Sequence, residues 1–127
     1  MAFWTKHGLA SGLWGFGNGH QYNARLESLA TIWKNYQFGI LRADCFWEKD
    51  TKFVSCQDNS LNIGVIYKNS EFAVITTQAD EEVKKVHHRM PLLIPTNKID
   101  SFLDGREDLI LLPKVRIVPE EKLIIAA

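Results

Sequence analysis

Leu61, Ile63, Val65 and Tyr67 occupy every second position. The turn-prone Lys68-Asn69-Ser70 follows, and the alternation resumes over residues 72–77. A period of two sends successive side chains to opposite faces, which is the signature of a strand. Two such runs joined by a short polar turn predict an antiparallel β-hairpin, so the fold must contain an antiparallel sheet.

The remaining elements are read around that hairpin. Residues 1–22 are dense in glycine and aromatics (Trp4, Gly8, Gly12, Trp14, Gly15, Phe16, Gly17, Gly19), a pattern for short strand plus loop. Leu26, Leu29, Ala30 and Trp33 fall at i, i+3, i+4 and i+7, predicting an amphipathic helix with Asn23 as a plausible cap. Residues 38–47 read as one buried strand. Thr77 with Asp80 three positions later predicts a capped helix over about 78–86, its acidic residues first and its basic residues last, stopped by Met90-Pro91. A second short helix is expected after Pro95, capped by Thr96, buried through Ile99, Phe102 and Leu103, and ended by Gly105. Three β-like pieces, 109–112, 115–118 and 123–125, close the chain. Strands outnumber helices and no βαβ rhythm appears, so the class is α+β with a mainly antiparallel sheet and two or three short helices.

At 127 residues the chain is expected to form a single domain spanning 1–127. Fifteen basic and fifteen acidic residues cancel, so any nucleic-acid contact has to come from a local patch rather than from net charge. No apolar run has the length of a membrane span, and no signal-peptide core is seen at the N-terminus. Cys45 and Cys56 form no CxxC pair, which suits reduced thiols in a cytoplasmic protein. Cys45 reads as core packing and Cys56 as more exposed.

Four polar groups invite a chemical reading. Asn23 can be a helix cap, or its amide can steady a developing oxyanion or a sugar oxygen. Arg25 can be a solvated residue or a phosphate grip. Glu48, behind Phe46-Trp47, can mark a strand's exit to water or serve as an acid or base against aromatic walls. His87 suits a helix C-terminus, and it is also the side chain best matched to proton transfer near neutral pH. His88 adds no metal site, because helix neighbours diverge in direction and no third ligand stands at metal spacing. Gly15-Phe16-Gly17-Asn18-Gly19 fits no phosphate-loop pattern, and no cofactor is expected.

Taken together, and in order, the motifs resemble the SOS response-associated peptidase (SRAP) family. Trp14-Gly15-Phe16 resembles its WG strand, and Asn23-Ala24-Arg25-Leu26-Glu27-Ser28 its NAR-x-E-T segment. Arg42-Ala43-Asp44-Cys45-Phe46-Trp47-Glu48 resembles ADGFYE, with Cys45 where glycine is common. The run from Phe72 to Asp80 is similar to I-[LV]-T-x-x-A, and His87-His88-Arg89-Met90-Pro91 to HDRMP. The match is strongest over 13–104. The resemblance implies a barrel-like core and a cleft for single-stranded DNA at abasic sites, in the DNA damage (SOS) response, nucleoid-associated when DNA-bound. It also implies catalytic roles for Asn23, Glu48 and His87, and DNA-binding roles for Trp14 (base stacking), Arg25 and Arg89 (phosphates) and Thr76. The family's nucleophile is a cysteine directly after the initiator methionine, whose amine and thiol close a thiazolidine ring on the abasic aldehyde. Here position 2 is Ala2, so stable crosslinking and the autopeptidase step are not expected of this sequence. The alternative is a non-catalytic interaction module that keeps the fold.

Overall fold

The computed structural model describes residues 1–56 and 60–121. In chain order the described elements begin with β1 (Ala2–Thr5), β2 (Gly8–Ser11), β3 (Leu13–Trp14), a single-turn segment α1 (Phe16–Gly19) and β4 (Asn23–Arg25). There follow β5 (Gln37–Ala43), β6 (Phe46–Glu48), β7 (Thr51–Ser55), β8 (Leu61–Lys68) and β9 (Glu71–Gln78). The last are α2 (Glu81–Lys84), β10 (Arg89–Pro91), α3 (Ile99–Leu103) and β11 (Ile117–Pro119). The class is the expected one: mostly antiparallel sheet with short helices.

The hairpin expected over 61–77 is β8–β9, in register from Val65 opposite Val74 to Lys68 opposite Glu71. Asn69 and Ser70 both take positive φ, 54° and 67°, the backbone of a two-residue turn whose twist matches the flanking strands. From β9 the sheet runs through β8, β5 and β1 to β2. After β2 the chain turns at Gly12, and β3 pairs in parallel with β9 at the other side. The Leu13 N–H donates to the Ser70 carbonyl at 2.9 Å, and the sheet is thereby nearly closed into a barrel. A Cβ on Gly12 would come within 2.9 Å of that same carbonyl oxygen, so the close approach needs glycine here.

One face of this sheet packs Phe3, Val65, Phe72 and Val74 with Phe46, Phe53 and Ile117 from the separate β6–β7–β11 sheet. Phe3 lies 5.2 Å, centroid to centroid, from both Tyr67 and Phe72. The other face packs Ile40, Ile66, Ile75, Ile94 and Phe102. Strand β8 is therefore buried on both faces, although its alternation suggests one wet side. Beyond Val65 and Val74 the hairpin splays, and residues 91–94 fill the gap. Leu92 donates to Ile75 O at 2.7 Å, Gly64 to Leu92 O at 2.8 Å, and Ile94 to Asn62 O at 2.8 Å.

Several expectations are corrected. No helix spans 26–33. Asn23 is not a cap, because Asn23–Arg25 is a strand pairing with the edge of β9. A 3-10 turn at Leu26–Ser28 and further turns follow it, with Leu29 donating to Leu26 O and Thr31 to Ser28 O. Bonds of i to i+3 keep residues three apart on one side, so chained turns reproduce the helical period. Trp33 is buried against Phe16 and Tyr36 at 5.4 and 5.0 Å. The helix expected over 78–86 is the single turn α2. Its cap is Asp80, whose side chain accepts from the Val83 N–H, while Thr77 belongs to β9. The strand expected over 38–47 breaks between β5 and β6, each entering a different sheet. Residues 109–112 turn around Asp108 instead of forming a strand, with Ile110 and Leu111 exposed. Of the 115–118 piece only the second half is strand, in β11 (Ile117–Pro119), and 123–125 lies outside the described residues. Cys45 and Cys56 are both half-buried and free.

A Cβ on Gly39 would stand 3.0 Å from the Phe3 ring and 3.0 Å from Val65. Gly39→Ala is expected to destabilise the protein by about 1–3 kcal/mol through overpacking, measured by urea unfolding. An unchanged midpoint would show that Phe3 does not pack there.

Candidate functional site: an open row along strand β9

Strand β9 is the spine of the site. Phe72, Val74, Thr76 and Gln78 share one of its faces by the two-residue period. Trp14 lies opposite Phe72, Asn23 opposite Val74, Arg25 opposite Thr76, and on β10 Arg89 opposite Gln78. Trp14, Asn23, Arg25, Thr76 and Arg89 thus share one face of the sheet. From Phe72 to Gln78 the row extends about 20 Å at the rise of a strand.

Arg89 joins that row to the imidazole. Its side chain is only 11% exposed. Nη1 donates to Glu27 Oε2 at 2.8 Å and Nη2 to Glu27 Oε1 at 3.3 Å, a two-pronged grip. Nη2 also reaches the Thr76 carbonyl at 2.8 Å and its hydroxyl at 3.2 Å. Nε is buried with no partner among the described residues. The backbone N–H of Arg89 donates to His87 Nδ1 at 3.1 Å. In the neutral ring that acceptor role places the proton on Nε2, which is then free to donate.

Glu48 Oε2 stands 3.8 Å from His87 Nδ1, at the end of β6 and a quarter exposed. A protonated Nδ1 has that carboxylate and the Arg89 carbonyl, 3.1 Å away, as its partners. The acid and the imidazole are therefore together. Asn23 is exposed on the shared face and makes no side-chain hydrogen bond to either among the described residues. Arg25, with 66% of its side chain exposed, touches Glu27 at 3.5 Å and keeps most of its guanidinium open to solvent. Trp14 is held by its Nε1–H on Tyr22 O at 2.9 Å, edge to face with the Tyr22 ring, and stays half exposed.

Glu27 is the participant that residue-by-residue reading missed. It bridges Arg25 and Arg89, and its only signal in sequence is its place two residues after Arg25. The site is an open face. A cavity of about 420 Å³ lies instead between α2, β10 and the 109–115 segment, and neither Asn23, Glu48 nor His87 lines it. Among the described residues there is no cluster of side chains able to hold a metal, and no helix long and apolar enough to cross a membrane.

Residues 20–124 match the family described as SOS response associated peptidase (SRAP), and the chain belongs to that family. Two solved structures share its fold. One is a protein from Bordetella bronchiseptica, 24% identical with a TM-score of 0.60, where the match covers 76% of this chain and 62% of the other. The second, from Bacteroides thetaiotaomicron, is 14% identical with a TM-score of 0.56, covering 64% of this chain and 46% of the other. The chain thus matches less than two thirds of either structure's length. No curated protein matches the sequence.

The hydrogen bond from Arg89 holds the Glu27 carboxyl below its ordinary value, against a smaller opposing effect of burial. A depressed carboxylate stabilises the fold above the unfolded carboxylate's range, and this contribution is lost as pH falls through the folded value. With Glu27 half exposed, Glu27→Gln is expected to cost about 1 kcal/mol near pH 7. The gap to the unsubstituted chain should close at acid pH, followed by thermal melts across pH. A pH-independent gap would contradict the ion pair.

Proposed function

We propose that this chain binds single-stranded DNA at abasic sites, in the DNA damage response that its family's name denotes. The observation that carries the reading is the row along β9. One aromatic, one amide and one largely exposed guanidinium share a face and meet, through Arg89, the His87–Glu48 pair. An open face suits a polymer better than a small molecule, which is usually enclosed. The chain's formal net charge is zero, so the backbone contact has to be local, and Arg25 is the cation positioned to make it. Arg89 is engaged with Glu27 and Thr76, and its part is to hold Thr76 and the His87 loop in place. Trp14 offers an exposed ring for stacking at the far end of the row.

An abasic sugar opens to an aldehyde. The chain's terminal amine, that of Ala2 once Met1 is removed, adds to its carbon to give a carbinolamine, which loses water to leave a Schiff base. Asn23 is the group to steady the oxygen during addition. The imidazolium form of His87, its Nδ1–H facing the Glu48 carboxylate, can give the departing hydroxyl its Nε2 proton and is left as the neutral ring. Thiazolidine closure needs amine and thiol on one terminal residue. Taken by itself, the 127-residue chain has Ala2 at position 2 and only internal cysteines, Cys45 and Cys56, so what it alone can form is the reversible Schiff base. We place its action in the cytoplasm, on the nucleoid when bound to DNA.

Two measurements test this. Arg25→Ala should weaken binding of single-stranded DNA and lower the salt dependence, the slope of log K against log salt, by about 0.7, one phosphate's share. An unchanged slope would argue against the row as the DNA surface. Abasic single-stranded DNA incubated with the 127-residue chain should give an adduct on a denaturing gel only after borohydride reduction. A heat-stable adduct without reductant would contradict the reversible endpoint.

A further inference from the structure

A cavity of about 340 Å³ opens on the other face of β8, away from the row along β9. Asn62 lines it. That side chain is 8% exposed, and its Oδ1 is buried with no hydrogen-bond partner among the described residues. A buried carbonyl oxygen left unpaired is costly, so it marks a place where a donor belongs. Ile94, Pro95, Pro113 and Val115 give its walls apolar surface, with Ser60, Thr96 and Asn97 as polar neighbours. Toward solvent stand Lys114 and Arg116, both exposed and neither in an ion pair among the described residues. Arg42, opposite Asn62 in the β5–β8 register, reaches the lining residue Ser60 with Nη2 to Oγ at 2.9 Å. No carboxylate lines the cavity among the described residues.

These groups combine a buried acceptor at Asn62, apolar surface interrupted by polar side chains, and the exposed cations Lys114 and Arg116. The matching ligand carries a donor at one end, a flat apolar body and an anion at the other. A water molecule would satisfy the acceptor but leaves the walls and the cations without a role. Side-chain amides and apolar walls are how proteins read the edge and face of an unpaired base. We propose that this pocket binds a nucleoside monophosphate, its amino-bearing base inward at Asn62 and its phosphate between Lys114 and Arg116. The volume lies in the range of small-molecule sites, about 300–1,000 Å³. The same chemistry is offered by a free mononucleotide and by the phosphorylated end of a strand. The site shares no residue with the row along β9, so it stands or falls separately from the function proposed above.

The test is a titration of the 15N-labelled chain with dCMP, beside inorganic phosphate, deoxycytidine and a 5′-phosphorylated trinucleotide beginning with cytidine. Saturable shifts are expected at the Asn62 side-chain amide and at Lys114 and Arg116, with dCMP at least tenfold tighter than phosphate or deoxycytidine alone. The Lys114→Ala/Arg116→Ala variant, altered only at exposed positions, should lose at least tenfold, and Lys114→Gln alone should show part of that loss. A trinucleotide tighter than dCMP assigns the ligand to a strand end, and one equal or weaker assigns it to the free nucleotide. The proposal is overturned if dCMP does not saturate, if neither variant weakens it, or if the shifts fall at Arg25 and Thr76.

Discussion

Arg89 is the joint on which the site depends. One guanidinium ties Glu27, from the turn after β4, to Thr76 on β9, and its backbone N–H anchors the His87 ring. A largely buried cation is costly unless it is paired, and here Glu27 and Thr76 take both terminal nitrogens, leaving Nε without a partner among the described residues. Remove that bridge and two chain segments, 62 and 13 residues from Arg89 in sequence, lose their common reference. The ring and carboxylate of His87 and Glu48 would then have nothing fixing them to the row of Trp14, Asn23 and Arg25.

The bridge is possible because the hairpin opens. Were β8 and β9 paired to their ends, residues 89–94 would have no place beside β9. The splay after Val65 and Val74 leaves backbone donors and acceptors on both strands, and Leu92 and Ile94 satisfy them. Filling that gap carries His87 and Arg89 to the end of β9, where β4 already lies on the opposite edge. Backbone hydrogen bonding thus delivers the side chains, and the polar contacts only finish their placement.

Much of this was legible in the sequence, and the losses have physical causes. The period of two over 61–77 identified the hairpin, and the family resemblance indicated the barrel. Pro95 and Gly105 bracketed the helical stretch over 96–103, although Thr96, expected as its cap, is its first helical residue. The helix expected from Leu26, Leu29 and Trp33 failed because chained turns carry the same apolar spacing. Asn23 looked like a cap only under that helix. Thr77 looked like the cap, with Asp80 three positions on, but pairing with β10 keeps Thr77 in its strand and Asp80 itself is the cap. Glu27 stayed hidden because its principal partner, Arg89, lies 62 residues away, and nothing local announces an ion pair of that reach. The closeness of Glu48 and His87 was likewise a tertiary fact, arising where the second sheet meets the loop after α2.

The central claim is convergence: a row of binding groups and a proton-transfer pair belonging to one surface. A crystal structure of the chain with single-stranded DNA carrying a stable abasic analogue tests it most directly. The account requires the backbone along β9 with a phosphate at Arg25, and the abasic sugar between Asn23 and the His87–Glu48 pair. Density for the strand elsewhere on the barrel, or a sugar remote from His87, would contradict it.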